Sequence, residues 1–335
     1  MRHALVTGAS GFIGNHLVKQ LSDRGTKVTC LVRPTTEVDR LKEMGVEFAV
    51  GNVTELDSVR RALSGTDIDT VFHLAGLTKS LRSEQMMHAN REGCRCVAAA
   101  CADAESAPRL VVVSSLAAAG PDPKNEERDS AKAYPTVSAY GASKRAGEVA
   151  AIEFASKVPM TIVRPPIVLG QGDREGLTMY QSIDRYRCHL VPCLSDKRYS
   201  VIHATDLANA CIAAAENGKR ILNADSAQGV YFAAADEVYT YAGLGRAIAG
   251  ALGRKVLNIR FPSPAVWVVA GVSEAVARLR GKASLLNLDK AREATSVSWT
   301  CNANELKNDT GFKPAVPFVD RLSETVDWYR KHDWL

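Results

Sequence analysis

The chain has 335 residues, of which 46% are hydrophobic and 24% charged, an ordinary globular composition with enough length for one enlarged domain or about two. Its formal net charge of +5 is spread without a basic block, which argues against nucleic acid as a partner. No apolar run reaches membrane-spanning length, and an apolar strand starts almost at Met1, leaving no room for a secretory leader, so a cytoplasmic location is expected.

Residues 4–6 form a short apolar run that predicts a buried parallel strand. Gly8, Gly11 and Gly14 follow in the spacing Gly-x-x-Gly-x-x-Gly. A helical pattern then begins, with Phe12, Ile13, Leu17, Val18 and Leu21 on one face. Glycines in such a strand–turn–helix allow a tight turn and let the backbone approach a pyrophosphate. Its charge settles on the unpaired N–H groups of the helix N-terminus. The first gap is one residue longer than in Gly-x-Gly-x-x-Gly, yet the flanking strand and helix point to a dinucleotide cofactor.

Residues 27–32 (KVTCLV) predict the second strand, at whose end a doubly wound fold reads the adenosine ribose. A carboxylate there suits the 2′-hydroxyl of NAD, and an arginine suits the 2′-phosphate of NADP. The strand runs into Arg33, and the next carboxylate is Glu37, so NADP is favoured with NAD as the alternative. Residues 46–50 predict a third strand, 56–62 a short helix and 70–74 a fourth strand. Ala75 and Gly76 then allow close approach to a cofactor, and His73 reads as packed within the strand. A long helix over 83–102 and a strand over 108–115 complete an alternation that requires a parallel, doubly wound sheet with ligand at the strand C-termini.

Ser114 and Ser115 end the fifth strand. A polar loop over 121–135 follows, and then a helix over 140–157 whose Tyr140 and Lys144 share a face. Tyrosine, with a reference pKa near 10, is a poor base at neutral pH, and a neighbouring ammonium lowers that value. Ser115 can donate to a substrate oxygen as charge develops there. Residues 161–164 predict a sixth strand. Past Gly170, segments 171–200 and 223–236 read as mixed and loop-rich. Helices are expected over 206–216, 239–252 and 264–280, the last with Val266, Trp267, Val269, Ala270, Val272 and Val276 on a broad apolar face. Residues 304–334 read as two short helices around Gly311. The eight cysteines lack paired spacing, so reduced thiols and no metal site are expected.

At these residues the sequence resembles the extended short-chain dehydrogenase/reductase family. The shared stretches are TGASGFIG at 7–14, HLAG at 73–76, Asn90, SSLAAAG at 114–120, YGASK at 140–144, RPPIVLG at 164–170, IHATDLA at 202–208 and the tail ending VDWYRKHDWL. The resemblance implies an α/β, Rossmann-type doubly wound parallel sheet with a smaller C-terminal substrate-binding domain. Residues 1–170 would bind the cofactor, and 171–335 would mainly bind substrate, with about 200–216 returning to the first domain. It also implies that Tyr140 is the general acid/base, that Lys144 binds the nicotinamide ribose and tunes Tyr140, and that Ser115 polarises the substrate oxygen with Ser114 beside it. Asn90 would support the proton relay. The implied cofactor contacts are Gly8, Ser10, Gly11, Phe12, Ile13, Gly14, Arg33, Asn52, Val53, Leu74, Ala75, Gly76, Tyr140, Lys144, Pro166 and Ile167. Gly51-Asn52-Val53 departs from the family's Gly-Asp-Leu/Val.

The arginine after strand two and the 264–299 tail are similar to the dihydroflavonol reductase and 3β-hydroxysteroid dehydrogenase branch. The expected function is therefore NADP-dependent reduction of a ketone or aldehyde on a small, fairly apolar molecule. A nucleotide-sugar epimerase or dehydratase with tightly bound NAD is the rival, in which Arg174, Arg185, Arg187, Lys197 and Arg198 would hold a diphosphate. A regulatory NADP binder without turnover is a third reading, against which Ser115, Tyr140 and Lys144 argue. The resemblance also suggests a homodimer through helices 83–102 and 140–157. Their apolar residues Cys94, Val97, Ala98, Val149, Ile152 and Phe154 could instead face the sheet.

Overall fold

A computed structural model describes residues 1–123, 130, 133–223, 228–284 and 286–335. Part of the polar loop expected over 121–135 thus lies outside the described residues. The first half alternates β1 (His3–Thr7), α1 (Phe12–Asp23), β2 (Lys27–Val32), α2 (Asp39–Lys42), β3 (Glu47–Val50), α3 (Leu56–Leu63), β4 (Thr70–His73), α4 (Ser83–Asp103) and β5 (Arg109–Val113). A 3₁₀ turn, Leu116–Ala119, leads to α5 (Ala139–Ile152), β6 (Met160–Arg164) and β7 (Ile167–Leu169). Then come α6 (Leu177–Tyr186), β8 (Cys188–Pro192), β9 (Arg198–His203), α7 (Ala204–Asn217), β10 (Val230–Phe232), β11 (Val238–Thr240) and α8 (Tyr241–Leu252). The chain closes with β12 (Leu257–Phe261), α9 (Ser263–Arg280), α10 (Leu288–Thr295), α11 (Asn304–Thr310) and α12 (Phe318–Lys331).

Seven parallel strands form the main sheet in the order β10-β6-β5-β4-β1-β2-β3. The order reverses between β1 and β4, so their C-terminal ends diverge into a crevice, where this class of sheet binds ligands. Apolar side chains of both sheet faces are buried: Ala4, Val6 and Phe72 pack with α1 and α7, and Leu5, Val71 and Val112 with α3, α4 and α5. Burial on both faces is why these strands read as continuous apolar runs.

The IHATDLA stretch ties the C-terminal end to this frame. Asp206 on α7 accepts two bonds from the Arg321 guanidinium on α12, at 3.0 and 2.8 Å, with both side chains buried. His203 lies 3.3 Å from the Thr325 hydroxyl. A paired, doubly hydrogen-bonded charge is the form in which such groups tolerate burial.

Several expectations are corrected. Helix α5 ends at Ile152, not 157, because the chain tightens into turns: Phe154 N bonds Ala151 O and Lys157 N bonds Phe154 O. The mixed 171–200 segment holds α6, β8 and the start of β9. Helix α6 buries only Tyr180 and Ile183, too few to set a visible period. Residues 167–169, with no periodicity of their own, form β7 in a three-stranded sheet, order β11-β9-β7. Residues 230–232 within the 223–236 segment supply β10, an edge strand of the main sheet. Of the six apolar residues considered for a dimer, Cys94, Val97, Ala98, Ile152 and Phe154 pack into the core beneath the sheet, and Val149 is exposed.

Candidate active site

One continuous cleft of about 2520 Å³ runs along the C-terminal ends of the strands and under the C-terminal third of the chain. At its cofactor end the glycine turn is shaped by contact. Gly8 has φ +71, and a Cβ there would lie 2.6 Å from Ala75 N, so side chains are barred by both conformation and the end of β4. A Cβ on Gly14 would lie 2.1 Å from Gly8 O, which presses the first turn of α1 onto the loop. Gly11 begins α1 without a side-chain cap, and the first turn holds no acid. Its amides are thus left for an anion, the fit a pyrophosphate requires.

Ser10, Phe12, Ile13, Arg33, Leu74, Gly76, Pro166 and Ile167 line this cleft together with Gly8, Gly11 and Gly14. Arg33 is exposed directly after β2, with its backbone N–H donating to Thr36 Oγ1 at 3.2 Å. Arg40 lines the same cleft, its guanidinium 6.0 Å from the Trp328 ring centroid. Sequence reading missed this second cation, which carries no motif. Asn52, Val53 and Ala75 lie outside the lining. Asn52 Oδ1 accepts from Thr54 N at 3.2 Å, Val53 packs against the core, and Ala75 N donates to Thr7 Oγ1 at 3.3 Å.

Ser114, Ser115, Tyr140 and Lys144 all line the cleft. Ser115 caps the 3₁₀ turn, and its Oγ accepts from Ala117 N at 3.1 Å, which leaves its hydrogen to donate. Ser114 is buried, and its Oγ has no partner among the described residues. Tyr140 sits in the first turn of α5, which Ser138 caps by accepting from Gly141 N at 2.9 Å. One turn on, Lys144 Nζ donates to Val113 O at the end of β5, at 2.7 Å. The ammonium lies beside Gly76, whose added Cβ would come within 3.8 Å of it. Lys144 thus stands between the ends of β4 and β5.

Asn90 is buried and fully engaged. Its Oδ1 accepts from Leu77 N at 2.8 Å, and its Nδ2 donates to Leu77 O at 3.0 Å and Ser143 Oγ at 2.8 Å. It therefore pins the Gly76–Leu77 segment against α5. His73 lies beneath, bonded to Thr7 Oγ1 at 2.8 Å, and burial with the Lys144 charge pushes its pKa down to about 3. It is a neutral, packed histidine, as its place in the strand suggested.

The far end of the cleft is mostly apolar, with Leu190, Phe261, Val266, Val269, Leu286 and Trp299 on its walls. Helix α10 adds polar groups that sequence reading did not single out. Asp289 accepts from the backbone amides of Ala139 and Tyr140 at 2.7 and 3.2 Å. Lys290 Nζ lies 5.5 Å from the centroid of the Tyr140 ring and 2.7 Å from Glu293. Burial works against the Lys290 ammonium, but the Glu293 carboxylate and nearby Tyr140 hold its pKa above the ordinary lysine value. Of the five cations considered for a diphosphate, Arg174 lines the cleft, while Arg185, Arg187, Lys197 and Arg198 do not.

A doubly wound parallel sheet, an uncapped glycine turn at its switch point and a Ser-Tyr-Lys set on the opposite wall define an extended short-chain dehydrogenase/reductase. The chain belongs to the NAD dependent epimerase/dehydratase family, whose model matches residues 4–226. It is an NAD(P)-dependent oxidoreductase of that type. It is similar to a ceramide reductase of Caulobacter vibrioides, with 31% identity over 331 residues, covering 98% of this chain and 95% of that one. A 4-hydroxy-2-methyl-3-oxo-4-farnesyl-3,4-dihydroquinoline-1-oxide ketoreductase of Stigmatella aurantiaca is 28% identical over 219 residues, 64% of each chain. Among solved structures, a UDP-glucose 4-epimerase of Thermotoga maritima superposes with a TM-score of 0.77 at 18% identity, covering 98% of this chain and 99% of that one.

Proposed function

We propose that this protein is an NADP-dependent reductase of a ketone or aldehyde carried on an apolar, lipid-like molecule. The observation that carries the reading is the composition of the cleft beyond Tyr140. Leu190, Phe261, Val266, Val269, Leu286 and Trp299 are on its walls, and of the five cations the sequence offered for a nucleotide diphosphate, Arg185, Arg187, Lys197 and Arg198 lie elsewhere. The Caulobacter and Stigmatella relatives are named as reductases, of a ceramide and of a farnesylated ketone. A ceramide-type lipid carbonyl is thus the substrate class to test first.

The residues at the glycine turn suit a pyrophosphate, Arg33 and Arg40 suit a 2′-phosphate, and Lys144 suits the nicotinamide ribose. Bound NADPH supplies the hydride. Tyr140 gives its phenolic proton to the carbonyl oxygen as that oxygen gains charge. Ser115 donates a hydrogen bond to the same oxygen and stabilises the developing alkoxide. Lys144, fixed by Val113 O, holds its ammonium between the ends of β4 and β5, where the nicotinamide ribose would lie. Asn90 holds the Gly76–Leu77 wall and acts as a positioning residue.

A substrate panel read by NADPH consumption is the test. Turnover of long-chain keto lipids and apolar ketones, with nucleotide sugars inert, is the expected result. Interconversion of nucleotide sugars by protein that purifies with NAD bound overturns it in favour of the epimerase reading.

A further inference from the structure

Helix α9 packs chiefly against α10 and buries only Ala270 and Ala277. Of the apolar face that the sequence pattern predicts, Ala270 is buried and Val266 half-buried, while Trp267, Val269, Val272 and Val276 are exposed. Trp267, Val268, Val269, Val272, Val276 and Leu279 are 37–88% exposed. At 3.6 residues per turn, Val268, Val272, Val276 and Leu279 fall within an arc of roughly 80°, a stripe about 16 Å long. Continuous apolar surface of this kind marks an interaction site, since folding alone gives it nothing to cover.

Three features select the occupant. The stripe carries no exposed, unpaired acid. Glu274, the only acidic residue in 263–286, is 2.7 Å from Arg278 and accepts from Leu288 N on the α10 side at 3.1 Å. Arg280 and Lys282 are exposed at the helix's C-terminal end, so an apolar stripe adjoins positive charge. Val269 and Leu286 are both exposed and part of the cleft wall, so the substrate end of the cleft opens onto this surface. No helix among the described residues is long and apolar enough to cross a membrane.

We propose that α9 lies flat on an anionic phospholipid bilayer, its valine and leucine stripe among the acyl chains and its cations at the phosphates. The cleft mouth then faces the lipid phase, and a carbonyl lipid passes from bilayer to Tyr140 without crossing water. The delivery step rests on the reductase reading proposed above, whereas docking stands without it. Apolar area plus attraction to anionic headgroups is what holds an interfacial helix.

The test is co-sedimentation of the full chain with vesicles of equimolar phosphatidylcholine and phosphatidylglycerol, and with phosphatidylcholine alone. We expect binding to the mixed vesicles, weaker binding without the anionic lipid, and loss as salt rises. Val268 and Val272 lie outside the cleft lining, so the double variant Val268→Asp, Val272→Asp leaves turnover of a short, water-soluble ketone unchanged. It weakens vesicle binding by about tenfold or more and slows turnover of vesicle-borne keto lipid in proportion. Absence of binding to the anionic vesicles overturns the proposal. So does a dimer in light scattering that the double variant dissociates, because the face would then join two copies. Vesicle binding by a protein that reduces no ketone would sink the reductase reading and leave docking standing.

Discussion

Asp289 and Tyr140 lie 149 residues apart, and the Tyr140 amide donates to Asp289 Oδ2 at 3.2 Å. The Ala139 amide donates to the other carboxylate oxygen at 2.7 Å. With Ser138, this carboxylate satisfies free amides in the first turn of α5 and places its charge at the favourable end of the helix dipole. The C-terminal third therefore fixes the orientation of the helix that carries the acid/base. Asp289→Ala is expected to lower stability by about 0.5–2 kcal/mol, as for loss of a helix cap. It should also reduce turnover through misplacement of Tyr140. Asp289→Asn, which keeps one acceptor, should recover part of both. Thermal melts beside kcat for the two variants check this, and an alanine variant equal to wild type in both would remove the role.

Removal of the phenolic proton isolates the chemistry. Tyr140→Phe should retain the melting temperature and NADPH affinity while losing roughly 10²–10⁴-fold in turnover. Lys144→Ala should lose turnover and also bind NADPH more weakly, because its ammonium stands between the ends of β4 and β5 where the ribose is proposed. Single-turnover kinetics with titrated cofactor separate the two effects. Near-normal chemistry in Tyr140→Phe would assign the proton to another group.

Arg33 tests the cofactor. A 2′-phosphate carries nearly two negative charges, and a guanidinium can bind two of its oxygens. Hydrogen bonds to charged groups contribute about 1.5–3 kcal/mol, so Arg33→Ala should weaken NADPH by ~10-fold or more and leave NADH nearly unchanged. Arg40 lines the same cleft, so Arg40→Ala should erode the preference in the same direction. Calorimetric titration of both cofactors decides it. A wild type that prefers NADH would end the argument and move the epimerase reading ahead.

What could be read from the chain divides along physical lines. The turn from Gly8 to Gly14 and the pair Tyr140 and Lys144 were legible because their chemistry fixes a short spacing within one element. The strands β1, β2, β4, β5 and β6 were legible because burial on both faces writes an apolar run, whereas β3 is an edge strand with Phe48 and Val50 exposed. Asp289 was not, since its meaning depends on amides 149 and 150 residues away. Neither was β7, whose three residues pair with β9 without any period of their own. Helix α9 is intermediate: spacing gave the stripe through Val272 and Val276, but no periodicity states whether a stripe faces a core or the outside.

Asp173 gives a pH dependence with a definite sign. It is buried after β7, with Oδ1 accepting from Glu175 N and Gly176 N, each at 3.0 Å. Burial raises its pKa from 3.8 to about 6, against the pull of the two amide bonds. A carboxyl whose folded pKa lies above its unfolded one binds more protons when folded. The stability it contributes is present in full below pH 3.8 and is lost as pH rises through about 6. The change over that window is on the order of 3 kcal/mol. Asp173→Asn keeps an acceptor for the amides but never ionises. In chemical denaturation without cofactor, the variant's advantage over wild type should therefore open as pH rises from 3.8 to about 6 and stay level above it. A difference that does not change across that window would show that the Asp173 carboxylate is solvated in the folded protein and carries no burial penalty.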